Sequence, residues 1–305
     1  MSFADLKKNQ GVGGMKKLQD ELDKLNKKAD SSSDDDKYWR LTTDKSGVGA
    51  AVIRFLPAAE GDELPFVTVY EHAFQGPGGW YIEKSRTTLG KGERDPVFEY
   101  NNQLWNSGVD ANRQLARKQK RTSRYVSNIL VVKDPANPEN EGRVFLYKYG
   151  KKIFQKIQEA MFPEQDPVDQ RDAINPFCPW KGANFKLKSK KVDGYPNYDQ
   201  SDFSTPEALF GGDDDKIQAV WQTETKLSEL VHPSQFKSYE DLKRRLDRVL
   251  GLSASAQTTE QSTTTARSSV TERAVAVEVE EETYSTTSDD MSDDLSYLQQ
   301  LANDE

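Results

Sequence analysis

The chain is 305 residues long, 35% hydrophobic and 30% charged, with a formal net charge of −8. That is enough chain to bury a sizeable core, and it suits one folded region of about 200 residues with appendages at both ends. A single cysteine, Cys178, excludes an intramolecular disulfide and any multi-cysteine zinc site; between Phe177 and Pro179-Trp180 it reads as a small packing residue. No apolar run approaches the roughly 20 residues that span a bilayer, and MSFADLKKNQ has no apolar signal-type stretch, so neither export nor membrane insertion is expected.

Along the chain, GMKKLQDELDKLNKKA sets Met15, Leu18, Leu22 and Leu25 on one helical stripe. SSSDDD at 31–36 then offers turn formers and nothing to bury, so residues 1–37 read as an arm and linker. Strand signals follow at 51–57, 65–70, 79–83, 125–133, 143–149 and 184–192, with DPANPENEG as a hairpin-like connection between the fourth and fifth. In the last of them Phe185 and Leu187 alternate with Lys186, Lys188 and Lys190, one face for the core and one for solvent or a ligand. A helix is expected at 151–161 on Ile153, Phe154, Ile157 and Met161. Further helical signals lie near 215–230 and at 238–250, the latter opened by Ser238 and Asp241 and stopped by Gly251. Strands of this length with few helices predict a mainly β fold, a small Greek-key barrel with helical additions and an inserted lobe, over residues 38–251.

Charge is spread unevenly. Residues 252–305 hold two basic residues against twelve acidic ones, which leaves 1–251 with 40 basic and 38 acidic residues. The acidity belongs to a tail read as disordered, and the body is able to bind polyanions. At the extreme end Leu295, Leu298 and Leu301, with Tyr297, form a small apolar face amid acids that suits folding on a partner.

The densest basic run is ANRQLARKQKRTSRYVSN at 111–128. It holds Arg113, Arg117, Lys118, Lys120, Arg121 and Arg124 with no acidic residue, and leads through Tyr125 into the apolar ILVV. Cations for phosphates beside rings for bases are the two components single-stranded nucleic acid requires. The other reading is a solvated loop or helix face.

The pieces AVIRFLP, GWYIE, NILVVKDPANPENEG, VFLYKYGKKI, CPWKGANFKLK and YPNYDQSDF, in this order, resemble the single-stranded-DNA-binding proteins of T-even-type bacteriophages. The resemblance covers most of residues 38–250. It implies an OB-fold core, a basic self-associating arm, an acidic tail, and cooperative, largely sequence-independent coating of single strands in replication, recombination and repair, in the cytoplasm of the infected host. Implied partners are DNA polymerase, a helicase loader, and a recombinase and its mediator. Carried over by position, Lys120, Arg121 and Ser123 fall on the family's basic-Ser/Thr motif, and Tyr125, Tyr147, Tyr195 and Tyr198 on aromatic positions of its DNA cleft. Trp105 lies in the region of another family aromatic, and Val126 stands where the family has Trp. The arm offers Lys7, Lys8 and Asn9 in place of a compact basic cluster. The family's zinc ligands, one His and three Cys, correspond here to His72, Ser85, Asp95 and Phe98. A structural zinc is therefore expected to be absent, with the lobe held by packing through Trp80, Tyr81 and Phe98.

Catalytic patterns are absent from the sequence: there is no Walker-type loop, no CxxC pair and no HExxH, GPGGW at 76–80 reads as a turn, and His72 and His232 are the only histidines. A carboxylate or metal-dependent nuclease and a replication scaffold without DNA binding are the alternatives. The scaffold would explain both termini and leave the basic run and the tyrosines unexplained.

Overall fold

The computed structural model describes residues 36–164 and 172–252. The arm residues Lys7 and Lys8 and the tail residues Leu295, Tyr297, Leu298 and Leu301 lie outside the described residues.

The fold is mainly β. Its strands are β1 (Tyr38–Trp39), β2 (Gly49–Phe55), β3 (Val67–Gly76), β4 (Gly79–Lys84), β5 (Arg121–Lys133), β6 (Val144–Tyr149), β7 (Phe185–Val192), β8 (Tyr195–Asn197) and β9 (Asp202–Phe203). The helices are α1 (Pro96–Asn106), α2 (Asp110–Lys118), α3 (Lys151–Met161), α4 (Asp214–Trp221) and α5 (Tyr239–Leu250). Pairing follows the open path β1-β6-β5-β2-β7-β8, with β3 joined to β5 and β4, and β9 to β7.

The long β5 is the hub. Its first half pairs antiparallel with β3, from Val67↔Val126 to His72↔Arg121; its second half pairs with β2, from Phe55↔Ile129 to Val52↔Lys133. β6 runs along its other edge, and the 134–142 segment closes that hairpin as expected, with Gly142 in the left-handed region at φ 79°. Alternation on β2, β5 and β7 turns Ile53, Phe55, Ile129, Val131, Phe185 and Leu187 inward into one apolar cluster, which α3 caps with Ile153 and Ile157. On the reverse side of the sheet Arg54 is fully buried, and its Nη2 donates to the carbonyls of Cys178, Pro179 and Glu207. Cys178 is half-buried, and its carbonyl serves the structure more than its thiol.

The basic run at 111–128 divides between two elements: residues 110–118 are helical, as the reading of a helix face had it, and from Arg121 the run enters β5 and leads through Tyr125 into the apolar ILVV. Asp95 opens α1 by accepting from Val97 N and Phe98 N, with Pro96 in the first helical position, where a missing N–H costs nothing.

The lobe made by β3, β4 and α1 is held by Phe74, Tyr81, Val97, Leu246 and Val249, with Tyr81 stacked on Phe74 at 5.1 Å. Trp80, expected among its packing residues, is 40% exposed instead, because it lies on the outer face of β4. Helix α5 supplies Leu246 and Val249. Ser238 caps it by accepting from Asp241 N, and Gly251 ends it at φ 73°. The GPGGW turn lies against this helix end: Gly78 N donates to Val249 O at 2.7 Å, and a Cβ on Gly78 would stand 2.1 Å from Arg248 O. Only a residue without a side chain fits there. Gly78→Ala is therefore expected to lower stability by about 1–3 kcal/mol through overpacking, read as a lower denaturant midpoint, whereas Gly108→Ala, which meets no atom and tests only its φ of 73°, separates backbone strain from collision.

Candidate nucleic-acid interface

Side chains alternate along β5, so Arg121, Ser123 and Tyr125 share one face with the core residues Ile129 and Val131, while Thr122, Arg124 and Val126 take the other. The first face joins cation to ring. The Arg121 guanidinium lies 4.2 Å from the Tyr70 ring centroid, and its Nη1 donates to Thr87 Oγ1 at 2.8 Å. Ser123 stands opposite Tyr70 in the β3–β5 register.

Tyr125 sits at the mouth of a row of aromatic rings. It stacks on Phe154 of α3 at 3.8 Å and 7°, Phe154 meets Phe66 at 5.1 Å, and on the other side the row continues through Tyr149, Tyr147 and Trp39. The row is fixed from below. Tyr149 and Ser127 share a hydrogen bond of 2.9 Å, and burial pushes the phenols of Tyr147 and Tyr149 above their ordinary range. Exposure then sorts the expected stacking residues: Tyr195 is 37% exposed, Tyr125 and Tyr198 are half-buried, and Tyr147 is 6% exposed. Tyr147 thus stands inside the core row, its ring covered by Trp39 and Tyr149.

The cations divide into three places. Arg121 is on the tyrosine face. On the reverse face Arg124 Nε stands 3.9 Å from Glu71, which also pairs with Lys148 at 3.2 Å. Arg113 and Arg117 lie on α2 with their guanidinium groups 5.7 and 5.5 Å from the Trp105 ring of α1, so the half-buried Trp105 and these arginines form a separate cation–π cluster leading toward Lys118 and Lys120. Residues that sequence reasoning passed over as site members are Phe66, Tyr70 and Phe154, with Lys151 and Lys152 in the first turn of α3. The available signal was the stripe of α3, on which Phe154 is offset from the buried pair Ile153 and Ile157.

Over residues 47–250 the chain matches the family model described as gp32 DNA binding protein like. It is 40% identical over 238 residues to the single-stranded DNA-binding protein of Enterobacteria phage T4, covering 76% of each chain. To that of Enterobacteria phage T2 it is 41% identical over 230 residues, 73% of each. The single-stranded DNA-binding protein of Escherichia phage SV14 is 41% identical over 78 residues, 25% of this chain and 69% of that one.

The positions that the resemblance aligned with zinc ligands come together here, but as a different chemistry. His72, Ser85 and Asp95 are all buried. Asp95 Oδ1 accepts from Val97 N and Phe98 N, and Oδ2 from Ser85 Oγ at 2.8 Å and Arg86 N at 3.0 Å. His72 Nε2 stands 3.5 Å from Asp95 Oδ1, and Nδ1 is 3.0 Å from the Gln119 carbonyl. Phe98 offers only a ring. With no thiolate and both carboxylate oxygens committed, these residues do not fit zinc, and among the described residues no group of three or more His, Cys, Asp and Glu side chains is placed to hold a metal. Burial alone would raise the Asp95 pKa, but His72, the Phe98 amide and the Ser85 hydroxyl outweigh it and hold the carboxyl well below the usual range. A depressed folded-state pKa stabilises the protein above the unfolded value and ceases to do so as pH falls through the folded one. Asp95→Asn should cost about 3–5 kcal/mol near neutral pH, and its gap to wild type in urea melts should narrow as pH drops below about 4.

Proposed function

The chain belongs to the family of gp32-like DNA-binding proteins, and on that premise we propose that it binds single-stranded DNA along the β5 face carrying Arg121, Ser123 and Tyr125. One observation carries this reading: a guanidinium held over a ring and a tyrosine at the mouth of a stacked aromatic row stand on the same face, one strand step either side of a serine. A single strand offers phosphates at regular intervals and bases with free π faces, and this face answers both. Such contacts read no base edge, so binding is largely independent of sequence.

Lys120, Lys118, Arg117 and Trp105 extend the phosphate track along α2, and Tyr195 and Tyr198, on β8 and the turn that follows, offer further rings to bases. Tyr147 supports the row from inside, and Arg124, beside Glu71, takes a smaller share. The family is one of DNA-binding proteins and not of enzymes, which sets aside the nuclease reading. An OB-fold barrel of β2, β3, β5, β6 and β7 belongs to the same proposal. It is supported by the antiparallel pairings of β5 with β3, β2 and β6, and by the single cluster that their inward residues build. The protein works without zinc in this reading. Cooperative coating through Lys7 and Lys8 of the arm and recruitment of polymerase, helicase loader, recombinase and mediator through Leu295, Tyr297, Leu298 and Leu301 complete it. They rest on the resemblance and on the patterns of segments outside the described residues, and the same reading has the protein act in the cytoplasm of an infected bacterium.

Titration of oligo(dT) across a range of salt separates the contributions. Tyr125→Ala should cost roughly 1–3 kcal/mol with little change in salt dependence, and Arg121→Ala should lower the slope of log K against log salt by about 0.7. Arg124→Ala should do less than Arg121→Ala; equal affinity of wild type and the Arg121→Ala/Tyr125→Ala pair would remove this face from the DNA path.

A further inference from the structure

The buried cluster at the zinc positions does not end at the lobe. Ser85 Oγ donates to Asp95 Oδ2 at 2.8 Å, so its one hydroxyl proton is spent there, and its 2.9 Å contact with Thr87 Oγ1 must take the Thr87 proton. Thr87 Oγ1 in turn accepts from Arg121 Nη1 at 2.8 Å. The chain is therefore directional: Arg121 to Thr87, Thr87 to Ser85, Ser85 to Asp95, cation at one end and carboxylate at the other. Hydrogen bonds that share one direction and end on ions reinforce one another.

The same turn is latched to β3 on both sides of Tyr70. Ser85 N donates to Tyr70 O at 2.7 Å, and Tyr70 N donates to Thr88 Oγ1 at 2.9 Å. Tyr70 is the ring beneath Arg121. The backbone leading into Arg121 is held as well, for the Gln119 carbonyl lies 3.0 Å from His72 Nδ1 and accepts from Asn101 Nδ2 at 3.2 Å. Both approaches to Arg121, side chain and main chain, thus return to the residues around Asp95.

We propose that Thr87 and Ser85 are positioning residues for DNA binding: they carry the hold of Asp95 to the Arg121 guanidinium and keep it over Tyr70, facing outward for a phosphate. An arginine loses much rotamer freedom when it meets a ligand, and one already held in place loses less. The cluster that the resemblance aligns with a zinc site serves, in this chain, as a polar anchor for a DNA contact. The inference rests on the proposed contact of Arg121 with phosphate.

Oligo(dT) binding by the full chain, followed by fluorescence over a series of salt concentrations, tests it with Thr87→Val, Thr87→Ser, Arg121→Ala and the Thr87→Val/Arg121→Ala pair. Thr87→Val should lower affinity and move the salt slope toward that of Arg121→Ala, a loss of about 0.7. Thr87→Ser, which keeps the hydroxyl, should restore both, and the pair should bind no worse than Arg121→Ala alone. If Thr87→Val does not fold, Thr87→Ala takes its place with the same outcomes. Wild-type affinity and slope in Thr87→Val beside a weakened Arg121→Ala would overturn the anchor and leave the DNA face standing. Thr87→Ser binding as poorly as Thr87→Val would overturn it too, since the hydroxyl would not be the working group. An Arg121→Ala protein indistinguishable from wild type would overturn the phosphate contact itself, and the anchor with it.

Discussion

A β-strand must alternate its side chains, and over the thirteen residues of β5 that rule ties the core to the binding surface. Ile129 and Val131 are buried on one face, so Ser127, Tyr125, Ser123 and Arg121 follow on the same face as the strand leaves the core. A slip of one residue would exchange Ile129 and Leu130 between the two buried layers of the sheet and turn Arg124 onto the face that now carries Arg121 and Tyr125. The register is pinned from three sides, by β2, β3 and β6. The placing of a cation and a tyrosine on one face is thus a consequence of packing farther along the same strand.

The second constraint is a buried carboxylate. Asp95 is 2% exposed, and an unpaired charge in that position would cost several kcal/mol. Four hydrogen-bond donors and the His72 ring surround it. Those donors come from the start of α1 and from the turn after β4, and His72 comes from β3, so one group joins three parts of the lobe. A tetrahedral metal does the same work by binding ligands from separate segments. Here the carboxylate draws the segments together, and the apolar layer of Phe74, Tyr81, Val97, Leu246 and Val249 closes over them.

The sequence made the central strands legible because their apolar residues alternate: the cores of β2, β6 and β7, the helix at 151–161 and the capped α5 all lie where periodicity and end signals put them. It was less informative where tertiary pairing decides. Arg121 to Arg124 have no apolar period, and only β3 alongside makes them strand. Helix α1 carried its start signal in Asp95-Pro96, but it buries Pro96, Val97 and Asn101 alone, which is too little for an apolar stripe to show in the sequence. At the candidate site the cations and the tyrosines could be named from residue type, whereas their division between two faces and the burial of Tyr147 depend on register and on Trp39. The pairing of His72 with Asp95 spans 23 positions, and only the fold brings these residues together.

The claim that DNA follows the tyrosine face of β5 is tested most directly by irradiating the complex of the full chain with oligo(dT) and mapping the residues joined to thymine. Adducts on Tyr125, Tyr195 and Tyr198 are the expected result. Adducts confined to the exposed Trp180 and Phe210, on the loops that Arg54 holds across the sheet, would contradict it.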